Sequence, residues 1–321
     1  MVLHIRQISI ACRAGVTALG LMLAGCAVPP GPVVAVRPSP APIVNPLPAA
    51  ATESPASAAA RANYAQIQQA LLSQGLMRTD TAPTDAPFTD RMLAENFLRI
   101  ALYDEYDRRL GGTVRSEAPT QLQRWRGPVR VGLRFGASVP AERVATDTAR
   151  VSSYLARLAR ITGHPIYLDD AAPNFIVEIA SVDERRALGP ALTASLSQLT
   201  PAQIASVTNM DVSTYCLVYA QSEGAGQAYA RAFAVIPAEQ PDLMRLSCIH
   251  EEIAQGLGLT NDSGAARPSI FNDDEEFALL TNQDELMLRI LYDPALRPGM
   301  TEVEARPVVF SLAARLMGGG S

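Results

Sequence analysis

Apolar positions along the chain change period several times, and each change predicts an element. Residues 58–76 carry Tyr64, Ile67, Leu71 and Leu72 at helical spacing with Gly75 near the end, which predicts a first helix. TDTAPTDAPF is a turn-rich joint. Thr89 is placed to cap a second helix over 90–110. Leu93, Phe97, Ile100, Ala101 and Tyr103 form its stripe, and Gly111-Gly112 stop it. WRGPVRVGLRFG then alternates, with Val129, Val131, Leu133 and Phe135 on one side, the mark of a strand. The period turns helical again over 140–161, through Val144, Val151, Tyr154, Leu155, Leu158 and Ile161.

Four more short strands follow, in HPIYLDD, NFIVEIASV, CLVYAQ and YARAFAVIP. The last two are joined by SEGAGQA, which predicts a hairpin with Gly224 and Gly226. A helix over 242–257 closes at Gly258, and a last one over 283–292 carries Leu286, Ile290 and Leu291 on one face. This order predicts an α+β fold: a mixed, twisted sheet backed by helices, preceded by a helical extension. There is no internal repeat. Trp125, the lone tryptophan, reads as a core anchor at a strand start.

Composition adds compartment and partners. The 321 residues carry a net charge of -5 and no basic block, which argues against nucleic acid. The N-terminus has a basic start (His4, Arg6, Arg13) and then an apolar run over 14–24, short of the ~20 residues a spanning helix needs. The run ends in Leu23-Ala24-Gly25-Cys26, which resembles the lipobox of bacterial lipoproteins. That resemblance implies a signal peptide over 1–25, lipidation of Cys26, and membrane attachment through it. Ala27 after the cysteine implies the outer membrane, facing the periplasm. Residues 26–57, rich in Pro, Ala and Ser, read as a flexible spacer. The helical extension would then span 58–112 and the α+β domain 113–321.

Export means an oxidising compartment. With Cys12 removed and Cys26 lipidated, Cys216 and Cys248 remain, and they are expected to form a disulfide; a catalytic cysteine is the competing role. The mature chain keeps two histidines, His164 and His250.

The stretch CIHEEIAQGLGLTND (248–262) carries the candidate chemistry. Aligned on Gly258, EEIAQGLGLTN is similar to the zinc motif of the metzincin metalloproteases. Glu251 stands at the first ligand position, Glu252 at the general base, Gln255 at the second ligand and Asn261 at the third. PSIFND resembles their Met-turn, with Phe271 in place of methionine, and LTNQDELMLRILY resembles their closing helix. The resemblance implies a metzincin-like core whose zinc ligands have changed. Long strings such as TDAPFTDRMLAENFLRIALYDEY and RPSIFNDDEEFALLTNQDELMLRILYDPALRPGM resemble an uncharacterised bacterial family, domain of unknown function 2927, which implies no activity.

At about 100° per residue, Cys248, Glu251, Glu252 and Gln255 share one face of the 242–257 helix, and Leu246, His250, Ile253 and Leu257 the opposite one. His250 is therefore expected in the core. One carboxylate and two carboxamides make a poor zinc set, so no cofactor is expected, with calcium or zinc as alternatives. The expected function is a non-catalytic cleft that binds peptide, peptidoglycan or a protein partner through Glu251, Gln255, Asn261 and Asp262. The alternative is an atypical peptidase or amidase with Glu252 as general base.

Overall fold

The computed structural model describes residues 53–103, 119–223, 227–272 and 274–318. Cys26, nearly all of the spacer, Gly111-Gly112 and the hairpin glycines Gly224 and Gly226 lie outside the described residues. No described helix is long and apolar enough to cross a membrane.

The chain opens with α1 (Pro55–Ser73) and α2 (Asp90–Ala101), each capped by the side chain before it, Ser54 and Thr89. The second helix stops at Ala101, with Leu102 as its C-cap, short of the expected end at 110. Six strands then build one sheet: β1 (Arg124–Trp125), β2 (Val129–Phe135), β3 (Ile166–Leu168), β4 (Phe175–Ala180), β5 (Leu217–Ser222) and β6 (Ala228–Pro237). The order is β1-β6-β4-β2-β3, parallel throughout, and β5 pairs antiparallel with β6 on its far edge. The two-residue β1 takes the first residues of β6, which β4 does not reach.

A mostly parallel sheet is covered on both faces, and β4 shows it: all six of its residues are buried. Phe175, Val177 and Ile179 enter the main core, while Ile176 enters a second, smaller one. Successive strand residues point to opposite faces, so a strand buried on both sides reads as a continuous apolar run. The main core lies under α3 (Ala141–Thr162), α7 (Asp242–Leu257) and α8 (Asn282–Leu291). The smaller core, with Leu192, Leu196, Val207, Phe233 and Val235, is roofed by two of three short helices, α4 (Val182–Arg185), α5 (Gly189–Ser195) and α6 (Pro201–Thr208). These three fell in a stretch with no predicted element.

A final helix, α9 (Glu302–Leu316), also escaped the periodicity reading. Pro307 sits inside it, and a proline within an apolar pattern normally argues against a helix. Buried Ala305, Val309, Leu312 and Ala313 hold it to the core. The α2 stripe (Leu93, Phe97, Ile100) joins the same core. The first helix packs through Ala60 and Tyr64 onto Met244 and Ala278, and Gln68 Oε1 accepts the backbone N–H of Met244 at 3.0 Å. That N–H belongs to the first turn of α7, where no intrahelical acceptor exists.

Candidate functional site

The site is organised by α7, buried around most of its circumference. Two glycines let it sit this deep. A Cβ on Gly256 would lie 2.4 Å from the Phe175 ring, and one on Gly258 would lie 2.3 Å from the Gln123 carbonyl oxygen. Gly258 also has φ +129°, where side-chain-bearing residues are strained. Trp125 Nε1 donates to the Gly256 carbonyl at 2.8 Å and the Trp125 ring stacks on Phe175, so the tryptophan anchors the helix to the sheet. A buried ion pair ties α7 to α3: Arg245 Nε to Asp147 Oδ2, 2.8 Å.

His250 lies in the core, as its helical position predicted. Its ring stacks on Tyr154 with centroids 4.0 Å apart, Nδ1 accepts the Leu280 N–H at 3.1 Å, and the Tyr154 hydroxyl donates to the His250 carbonyl at 2.8 Å. Burial, aided by the positive charge of Arg157, pushes its pKa down to about 3. His250 is thus a neutral structural side chain that accepts a backbone hydrogen bond. His164 is elsewhere, against Tyr292 and the Gly127 carbonyl.

The opposite face of α7 meets the start of β5. Cys216 and Cys248 form the expected disulfide there. Cys216 Sγ and one carboxylate oxygen from each of Glu251 and Glu252 lie within 4.8 Å of one another. Glu251 is half-buried and Glu252 only 3% exposed. One turn on, Gln255 Nε2 donates to Asp262 Oδ1 at 3.4 Å, joining helix to loop. Asn261 turns toward α2: its Nδ2 donates to the Arg99 carbonyl at 3.1 Å and its N–H to the Ile100 carbonyl at 3.0 Å. The structure therefore gathers Glu251, Glu252 and the disulfide in one group, links Gln255 to Asp262 beside it, and uses Asn261 to fasten the loop. With the disulfide closed, the group offers two charged donors, fewer than the three protein ligands of a catalytic zinc.

Below the loop lies a network that periodicity alone did not single out. The Asp284 carboxylate accepts from Ser269 Oγ (2.6 Å), the Ile270 N–H (3.1 Å), the Thr281 N–H (2.8 Å) and Thr281 Oγ1 (2.8 Å). Gln283 Nε2 donates to the Pro268 carbonyl at 2.9 Å, and Asn96 Nδ2 on α2 donates to Gln283 Oε1 at 2.9 Å. The turn over 268–272 is clamped to α8 in this way. Complete burial outweighs these hydrogen bonds and pushes the Asp284 pKa up to about 6. The signal for it was present as Thr281-x-x-Asp284, the spacing of a capping box.

A search of curated proteins and a search of solved structures each returned no match. A family match covers residues 90–311, from the first residue of α2 to the last turns of α9. That span takes in the whole sheet, α7 with its polar face and the clamped turn, so the chain belongs to the family described as protein of unknown function (DUF2927).

Proposed function

We propose that this protein is a lipid-anchored envelope protein, held at the outer membrane through Cys26 and facing the periplasm. Its α+β domain is a metallopeptidase-like scaffold of metzincin type that binds without hydrolysing. The ligand is a peptide, the peptide part of peptidoglycan, or an envelope protein. What carries this reading is the division of labour on α7: its histidine is spent in the core on Tyr154 and Leu280, while the polar face beside β5 carries Glu251, Glu252 and a disulfide. Without a third strong ligand, that face lacks the means to activate water for peptide hydrolysis.

The antiparallel strand β5 favours an extended ligand. It is half-buried along its length, and its outer edge pairs with no other strand among the described residues. Such an edge accepts a further strand through backbone hydrogen bonds.

Glu252→Gln tests the reading against a hydrolase that uses Glu252 as its base. The full chain and this variant are incubated with purified sacculi and with envelope extract, and both co-sedimentation and released peptides are measured. Retained co-sedimentation with no released peptide in either protein is expected. Peptide release by the wild type that falls by 10²-fold or more in the variant, the usual weight of a general base, would replace binding by catalysis.

A further inference from the structure

Three sulfur and oxygen donors meet where β5 begins, and a fourth is bonded to one of them. Cys216 Sγ, a Glu251 carboxylate oxygen and a Glu252 carboxylate oxygen lie within 4.8 Å of one another, and Cys248 Sγ is bonded to Cys216. Cys248, Glu251 and Glu252 occupy positions i, i+3 and i+4 of α7, which is one face of one turn. Cys216 approaches from the residue just before β5. Neither element depends on the disulfide alone for its place. β5 is held by its ladder with β6, and α7 by its packing on the sheet and the Arg245–Asp147 pair.

In the oxidised state the two sulfurs are bonded to each other and neither is a thiolate. Opening the bond places two thiols beside two carboxylates. If all four ionise, the group carries four negative charges in a small, half-buried space, an arrangement that needs a cation. Two thiolates and two carboxylates complete a closed tetrahedral set for a zinc-class ion, with Zn–S near 2.3 Å and Zn–O at roughly 2.0–2.2 Å. Those bond lengths place ligand atoms roughly 3.3–3.8 Å apart in a tetrahedron, so Cys216 Sγ and the two carboxylate oxygens need to close by roughly 1–1.5 Å at most, while the two sulfurs, once the bond is opened, must separate from bonding distance to roughly 3.8 Å. A supporting group is already in place: Gln240, fully buried, directs its Nε2 toward Cys248 Sγ at 3.5 Å while donating to the Tyr215 carbonyl at 2.6 Å. An N–H aimed at a metal-bound sulfur is the usual way a protein orients such a ligand.

We infer that Cys216, Cys248, Glu251 and Glu252 form a redox-gated site that is closed to metal as the disulfide and binds one zinc-class divalent ion as the dithiol. The reductant is a dithiol of the exchange class. Its thiolate attacks Cys216 Sγ, which is half-buried where Cys248 is fully buried, and the S–S electron pair leaves on Cys248 Sγ, which takes up a proton. The second thiol of the reductant then attacks the mixed disulfide, frees Cys216 as a thiolate, and ends as the oxidised partner. Two electrons pass to the protein. Metal binding displaces the remaining thiol protons.

This inference stands apart from the ligand-binding reading, since zinc stoichiometry is measured without any peptide or envelope partner. The full chain is prepared oxidised and, in parallel, reduced with a water-soluble phosphine, which becomes the phosphine oxide. Each sample is titrated with cadmium and with zinc, freed of unbound metal, and analysed for bound metal and for thiolate-to-cadmium ultraviolet absorption. The expected result is one metal per reduced chain with the thiolate band, none in the oxidised chain, and loss of the band in Cys216→Ser. A fall in affinity of roughly 10-fold or more is expected in both Glu251→Gln and Glu252→Gln. Metal bound equally by both redox states, a reduced chain that binds none, or carboxamide variants that bind as tightly as wild type would each overturn the inference. If the reduced chain loses its far-ultraviolet circular dichroism, zinc must restore it; failure to do so would overturn the inference as well.

Discussion

His250 and Asp284 place two titrating groups of opposite sign in the same layer, joined through the backbone of Leu280 and Thr281. The folded pKa of His250, about 3, lies below its ordinary 6.5, so the unfolded chain binds the extra proton between those values and acid removes stability. Asp284 is raised to about 6 from 3.8, so the folded chain binds the extra proton and stability is lost as pH rises from 4 to 6. Between pH 7 and 4.5 the histidine effect is worth about 2–3 kcal/mol and the aspartate effect about 2 kcal/mol in the opposite direction. Urea unfolding at the two pH values checks this. His250→Gln should gain stability on acidification relative to wild type, and Asp284→Asn should lose it; equal pH slopes in all three proteins would remove both assignments. Near pH 3, where Asp284 is protonated in both the folded and unfolded chain and only lost hydrogen bonds count, Asp284→Asn should cost about 1–3 kcal/mol; at pH 7 removal of the buried charge offsets that loss. The candidate residues were legible at this scale because spacing on a helix fixes facing: Cys248, Glu251 and Glu252 share a side, and His250 looks away. The use of Asn261 on α2 backbone was not legible, because its partner lies 162 residues away.

Among the elements, α7 is the one whose place the site depends on, and its depth rests on Gly256 and Gly258. Gly256→Ala drives a methyl into the Phe175 ring, which is itself packed under Trp125. Overpacking of this kind costs about 1–3 kcal/mol. Pairing it with Phe175→Leu should recover part of the loss, and a double-mutant cycle in chemical denaturation measures the coupling; strictly additive losses would show that the contact does not limit the helix position. Strands β2, β4, β5 and β6 and the long helices were legible because their apolar patterns run for five residues or more, whereas the three-residue β3 was legible only as a short apolar run in HPIYLDD. The short helices α4 to α6 were not, since each is too brief to establish a period, and α9 was hidden by Pro307.

At the scale of the whole molecule, the disulfide joins two elements separated by 32 residues in sequence. Closing a loop of that length removes unfolded-state entropy worth about 3–4 kcal/mol. The paired Cys216→Ser, Cys248→Ser chain should therefore unfold at a lower urea midpoint by that amount, with an unchanged far-ultraviolet spectrum; an unchanged midpoint would mean that β5 and α7 hold each other without it.

What the sequence by itself determined is what repeats locally. Apolar period set the strands and main helices, glycine and threonine set their ends, and i, i+3, i+4 spacing set which α7 side chains face together. What only the tertiary structure decided is what crosses the chain. The antiparallel pairing of β5 with β6 was itself legible, as the hairpin through SEGAGQA, but the parallel order of the remaining strands, the Asp284 clamp on the 268–272 turn, the seat of Asn261 and the approach of Cys216 to Glu251 and Glu252 join residues of different elements. Such pairings carry no local period, because they are fixed by how whole elements bury one another.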